Sequence, residues 1–130
     1  MRYCFDIETD GFLDTATKVH CIILKDIDTN QVLHLNNAQA VKKLEEAELI
    51  IGHNIIKFDI PVLKKFYNLK SRAKVFDTIV ATRLLFPDIK DQDFKHKNFP
   101  RDCIGRHSLK AWGNRVGEYK EQFDTVGKGR

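Results

Sequence analysis

The sequence predicts an α/β domain on a mixed five-stranded sheet, an antiparallel meander of three strands followed by βα units, with helices on its flanks. Three observations lead there. Residues 2–8 alternate, with Tyr3, Phe5 and Ile7 on one side and Cys4, Asp6 and Glu8 on the other, the period of a strand. Two further apolar runs, "VHCIILKDI" and "QVLHL", follow with only "DTN" between them, which reads as a hairpin. From there on, helical and strand-like segments take turns.

"NNAQAVKKLEEAE" has helical composition, an Asn in front as a cap, and Ala40, Val41 and Leu44 on one stripe; "LIIGH" then returns to a short buried strand. "FDIPVLKKFYNL" reads as a second helix, since Pro61 is tolerated in a first turn and Ile60, Leu63, Phe66 and Tyr67 form one apolar side. "AKVF" is a short strand, and "DTIVATRLLF" a third helix that opens at Asp77 and is stopped by Pro87. Residues 87–106 show no sustained period and are expected to form a long surface loop. "HSLKAWGNRVGEYKEQF" resumes a helical pattern with Leu109, Trp112 and Val116 as its stripe, and residues 125–130 form a basic, flexible tail.

The chain has 130 residues, 42% hydrophobic and 31% charged, which suits a single domain spanning 1–130 with a modest core. No apolar run reaches membrane-spanning length, and "MRYCFDIETD" puts acids where a signal peptide needs an apolar stretch. A cytoplasmic protein with no membrane partner is expected. Cys4, Cys21 and Cys103 are odd in number and lack CxxC spacing, so neither a disulfide framework nor a zinc knuckle is indicated. The net charge of +4 suits a polyanion without requiring one. No GxGxxG follows a strand, which argues against a dinucleotide-binding fold.

Asp6 and Glu8 leave the same face of their strand and can converge just beyond its end. Two ionised carboxylates that close repel, and a cation removes the penalty. Hard oxygen ligands select Mg2+ or Mn2+, and two such ions about 4 Å apart stabilise both oxygens of phosphodiester hydrolysis. Asp59, at a helix entrance, reads as an N-cap first and as a third ligand second; Asp77 reads as a cap, and Asp10 and Gly11 as turn residues. His53 and His107 read as hydrogen-bonded scaffold. Lys90, Lys95, Lys97, Arg101 and Arg106 are interleaved with Asp88, Asp91, Asp93 and Asp102, the pattern of a solvated loop.

The ordered pair "DIETDGF" and, about fifty residues on, "HNIIKFDIPVL" resembles the first and second motifs of the DEDD superfamily of 3'–5' exonucleases. These are ribonuclease H-like nucleases that include the proofreading domains of family A DNA polymerases. "FDTIVATRLLF" and "HSLKAWGNRVGEYK" look like the matching segments of T7-type phage polymerases. The resemblance implies a ribonuclease H-like fold and a two-ion site for Mg2+ or Mn2+. It gives Asp6 both ions, Glu8 the ion that holds the attacking water, and Asp59 a place near the leaving group. It also implies that Thr9, Phe12 and Asn54 contact the 3'-terminal nucleotide of single-stranded DNA, with Phe12 as an apolar wedge.

The family's third motif, a Tyr or His before a final Asp, has only Tyr119 with Asp124 as a look-alike, one residue too widely spaced. An incomplete ligand set and exposed apolar surface are therefore expected. The remainder of a polymerase, a complementing chain or a second copy would cover that surface. A nucleic-acid-binding module without catalysis and a ribonuclease of the same superfamily are the competing readings.

Overall fold

The computed structural model describes residues 1–118. Its strands are β1 (Arg2–Thr9), β2 (Val19–Asp26), β3 (Val32–Leu33), β4 (Leu49–Gly52) and β5 (Lys74–Asp77), in the order β3-β2-β1-β4-β5. β1 lies at the centre, antiparallel to β2 and parallel to β4; β3 extends the antiparallel side and β5 the parallel side. The helices of the described residues are α1 (Asn37–Glu46), α2 (Ile60–Tyr67), α3 (Thr78–Leu85), α4 (Ile89–Lys95) and α5 (Leu109–Val116). This is the α/β architecture expected from the sequence, and it is consistent with the ribonuclease H-like class. The chain divides into two compact units, Met1–Ala81 and Thr82–Arg130.

The first unit holds the whole sheet. Alternation along β1 buries Tyr3, Phe5 and Ile7 at 1%, 3% and 5% exposure, against Ala40, Val41 and Leu44 of α1 and Val62 and Leu63 of α2. Each such large side chain contributes about 1.5–3 kcal/mol on leaving water. α1 starts where the sequence suggests because Asn36 and Gln39 form a reciprocal capping box. β3 is shorter than "QVLHL" implies, since the chain leaves the sheet after Leu33 to reach that cap. The opposite face of the sheet carries Cys4, Asp6 and Glu8 beside the exposed Ile23 and Phe76.

The described part of the second unit corrects the reading of residues 87–106 as an irregular loop. It contains α4 and a short 3-10 turn, Arg101–Cys103. A small apolar cluster of Phe99, Cys103 and Ala111, with Ile104 packed against it, and a buried ion pair hold it together. Asp93 and Arg115 have side chains only 3% and 8% exposed, and Arg115 donates through Nε to Oδ1 at 2.9 Å and Nη2 to Oδ2 at 2.6 Å, the two-pronged geometry that favours arginine. The Gly105 amide adds a bond to Oδ2 at 2.9 Å, and these partners hold the Asp93 carboxyl below its ordinary value, the Arg115 bond foremost. The guanidinium also lies over Trp112, 4.6 Å from the ring centre. On α5 the buried positions are Ala111 and Gly113, whereas Leu109 and Val116 of the expected stripe are exposed and Trp112 is half-buried. The basic residues of this segment, Lys90, Lys95, Lys97, Arg101 and Arg106, are all exposed, as a solvated surface requires.

Candidate active site

β1 presents Asp6 and Glu8 on its solvent face, paired across to Ile23 and Cys21 of β2. The register then breaks between Glu8 and Thr9, where Thr9 pairs with Val19. Such bulges bend a strand and re-aim its side chains, and they favour the neighbourhood of active sites. Beyond the bulge, residues 10–18 form a loop closed by its own side chains. The Asp10 carboxylate accepts the Thr17 amide at 2.8 Å, the Thr17 hydroxyl, and the Lys18 amide at 3.2 Å, which brings its carboxyl down to about 2, the Thr17 hydroxyl contributing most. Asp10 is thus the pin of this loop. Lys65 of α2 donates to the carbonyls of Leu13 and Ala16 at 2.9 and 3.3 Å. Phe12, held within that frame, is 78% exposed. Thr9 is half-buried and its hydroxyl donates to the Gly11 carbonyl at 2.6 Å.

On the other side of β1, the end of β4 packs against its backbone. A Cβ on Gly52 would stand 2.9 Å from the Phe5 carbonyl oxygen and run into the Ile55 side chain, so only glycine permits the approach. Asn54 follows in the left-handed region with φ 63°, and the chain then winds through a π turn, Ile55–Asp59, before α2. Single π turns inside helices are frequent at functional sites.

Asp59 closes that turn. It stands at the entrance of α2 but makes no capping bond there. Its carboxylate instead accepts the Ile7 backbone amide, and it is 3% exposed with Oδ2 buried and without a partner. Burial, and next the negative charge of Asp6, push its carboxyl up to about 8 from the ordinary 3.8. The fold has therefore brought Asp59 to Asp6, although the two are far apart in sequence. His53 and His107 serve as scaffold: His53 Nδ1 meets the Thr78 hydroxyl at 2.8 Å, and His107 Nδ1 accepts the Trp112 indole N–H at 3.2 Å.

Among the described residues no group of three or more His, Cys, Asp or Glu side chains is arranged to hold a metal ion. Asp6, Glu8 and Asp59 do not form such a group as they stand. The Asp6–Asp59 pair nonetheless suits a divalent cation: one buried carboxylate oxygen lacks any partner, and a neighbouring like charge opposes ionisation. A cation would remove both penalties at once. Tyr119 and Asp124, and the tail expected over 125–130, lie outside the described residues.

The chain is 33% identical over 135 residues to the DNA-directed DNA polymerase of Escherichia phage T7. It is 30% identical over 137 residues to that of Enterobacteria phage T3. Each alignment covers 91% of this chain. The chain is similar to one segment of these phage polymerases. It spans about a fifth of the length of these curated relatives, 19% of each. No family model matches it. No helix of the described residues is long and apolar enough to cross a membrane.

Proposed function

We propose that this chain is the metal-dependent 3'–5' exonuclease module of a T7-like DNA polymerase, removing nucleotides from single-stranded DNA 3' ends in the host cytoplasm. One observation carries the reading. Asp59 occupies a helix entrance yet does not cap it, and its buried, unpaired oxygen belongs to a carboxyl that feels Asp6. A structural cap would show the reverse.

Asp6 and Asp59 would hold the first Mg2+ or Mn2+, and Glu8 would join them by turning its side chain. When bound, such ions supply charge stabilisation to the phosphoryl oxygens and activate water. Asp59 must lose its proton to serve as a ligand, so metal binding and proton release are coupled at this residue. The exposed ring of Phe12 supplies a stacking surface for the terminal base, on a loop that Asp10 and Lys65 hold in place before any substrate arrives. Asn54, in its left-handed turn, and Thr9, beside the bulge, flank the acids and would contact the terminal nucleotide. The rest of the polymerase, or a complementing chain or second copy, would complete the ligand set and cover the exposed sheet face.

The test is incubation of the chain with 5'-labelled single-stranded DNA and Mn2+, alongside Asp6→Ala. A ladder shortening from the 3' end and lost in the variant is expected, weak for the isolated chain. Absence of any ladder with DNA binding retained would instead support a non-catalytic nucleic-acid-binding module. Faster digestion of an RNA strand of the same sequence would make it a ribonuclease.

A further inference from the structure

The segment that joins β4 to α2 makes a left-handed turn at Asn54, with φ 63°, a conformation asparagine adopts more readily than other residues with a side chain. Contacts from the next strand hold this turn. Asp77, at the end of β5 and 5% exposed, uses Oδ1 to accept the amides of Asn54 at 2.8 Å and Ile79 at 3.0 Å, and Oδ2 to accept the amide of Ile56 at 3.0 Å. Only the Ile79 bond is that of a helix cap, the role the sequence assigns to Asp77. The other two reach more than twenty residues back along the chain.

Thr78 adds to the same grip. Its hydroxyl donates to the Gly52 carbonyl at 3.2 Å and lies 2.8 Å from His53 Nδ1. Asp77 and Thr78 together engage Gly52, His53, Asn54 and Ile56. Three residues after Ile56 comes Asp59.

We propose that Asp77 is a positioning residue of the candidate active site. By holding the Asn54 and Ile56 amides, its carboxylate fixes the turn that presents Asn54 and sets the angle at which the π turn delivers Asp59 to Asp6. The link to metal and substrate rests on the nuclease reading; the grip on the turn does not.

Two variants separate this role from capping and from charge. Asp77→Ser keeps a competent helix cap but is too short to reach the turn, whereas Asp77→Asn keeps the shape and part of the grip; both lose the charge. Amide hydrogen exchange followed by NMR should show Asn54 and Ile56 exchanging about tenfold faster in D77S, with Ile79 little changed. Unchanged exchange at Asn54 and Ile56 would overturn the proposal. Should D77S fail to fold, D77N carries this measurement, since one of its two side-chain atoms can no longer accept, and at least one of the two amides must quicken.

Mn2+ titration, read from line broadening at the Ile60 amide, gives the second readout. D77S should need about tenfold more Mn2+ than D77N, as outer-shell partners of a ligand typically require. Equal weakening in both variants would reduce Asp77 to a nearby charge and overturn the positioning claim. If Mn2+ broadens nothing in the unmodified chain, the metal reading of the site falls, while the exchange measurement still decides what Asp77 holds.

Discussion

Replacing Asp59 by Asn should make the metal-free chain more stable at neutral and mildly alkaline pH, and the gain should vanish in acid. The unfolded chain ionises Asp59 near 3.8, whereas the fold keeps it protonated up to about 8. Between those values the folded state binds the extra proton, so stability falls as pH rises. At about 1.4 kcal/mol per pH unit the full loss is about 5–6 kcal/mol, and relaxation around a buried charge brings the expected figure to about 3–5 kcal/mol. That is a large part of the whole stability of a domain this size. Urea unfolding of the chain and of Asp59→Asn in EDTA, at intervals from pH 4 to pH 9, measures it directly. The carboxyls held low by their partners, Asp10 and Asp93 among them, titrate in both proteins and cancel in the difference. The two curves should meet near pH 4 and diverge until about pH 8. Adding Mn2+ at pH 8 should restore the parent chain, by about 2.7 kcal/mol at a hundred times its dissociation constant, and leave the variant unmoved. Curves that stay parallel across the range would refute the burial and charge argument for Asp59.

Three further outcomes follow from the packing. Gly52→Ala should cost about 2–4 kcal/mol in urea unfolding, because the new Cβ meets the Phe5 carbonyl at 2.9 Å, a backbone atom that cannot step aside; a loss under 1 kcal/mol would mean the strands can part there. Asp93→Ala should destabilise the second unit by about 3–5 kcal/mol by stranding a buried guanidinium. Trp112, beside that guanidinium, reports the change by fluorescence, and in the parent chain the pair's contribution is present above the ordinary aspartate value and lost as acid protonates Asp93. Phe12→Ala should alter stability by less than about 0.5 kcal/mol, given its 78% exposure, yet weaken single-stranded DNA binding by about 1–3 kcal/mol in a fluorescence anisotropy titration.

The sheet was legible because its signals are local. Alternation from Tyr3 to Glu8 and the capping box at Asn36 each specify their element without help from afar. The second unit was not, because its apolar cluster of Phe99, Cys103 and Ala111 is small and scattered along the chain, and a charge pair adds to it. Asp93 sits among acids that a pattern reading assigns to solvent, and no hydrophobic period marks α4 as ordered; only the arrival of Arg115 from 22 residues on makes its burial favourable. On α5 the guanidinium and two small residues, Ala111 and Gly113, take the inner side that Leu109 and Val116 were expected to fill. Asp59 failed to resolve for a different reason. An acid ahead of a proline-led helix has the same local sequence whether it caps or not, and the π turn that rotates it away leaves no compositional trace. Asp77 looked like a cap and is one, but its bonds to Asn54 and Ile56, distant in sequence, depend on how β4 and β5 align, which residues near Asp77 do not encode.

Asp59 also bears on the choice between an enzyme and an inert module of the same fold. A buried carboxyl that has one oxygen without a partner and a like charge acting on it opposes folding at neutral pH, and a neutral side chain of the same shape would remove that cost. Inert scaffolds gain nothing from such a group, whereas local conflicts with stability concentrate where chemistry needs them. The residues around Asp59 do not relieve the conflict; the Ile7 amide satisfies one oxygen, the other has no partner, and Asp77 adds a further like charge that raises the carboxyl's affinity for a proton. On the proposed metal-dependent reading, an acid kept uncharged until a cation arrives would bind that cation in exchange for its proton. The occupied site should then strengthen with rising pH up to about 8 and level off above it, a dependence that a surface carboxylate pair, already ionised at pH 5, would not produce.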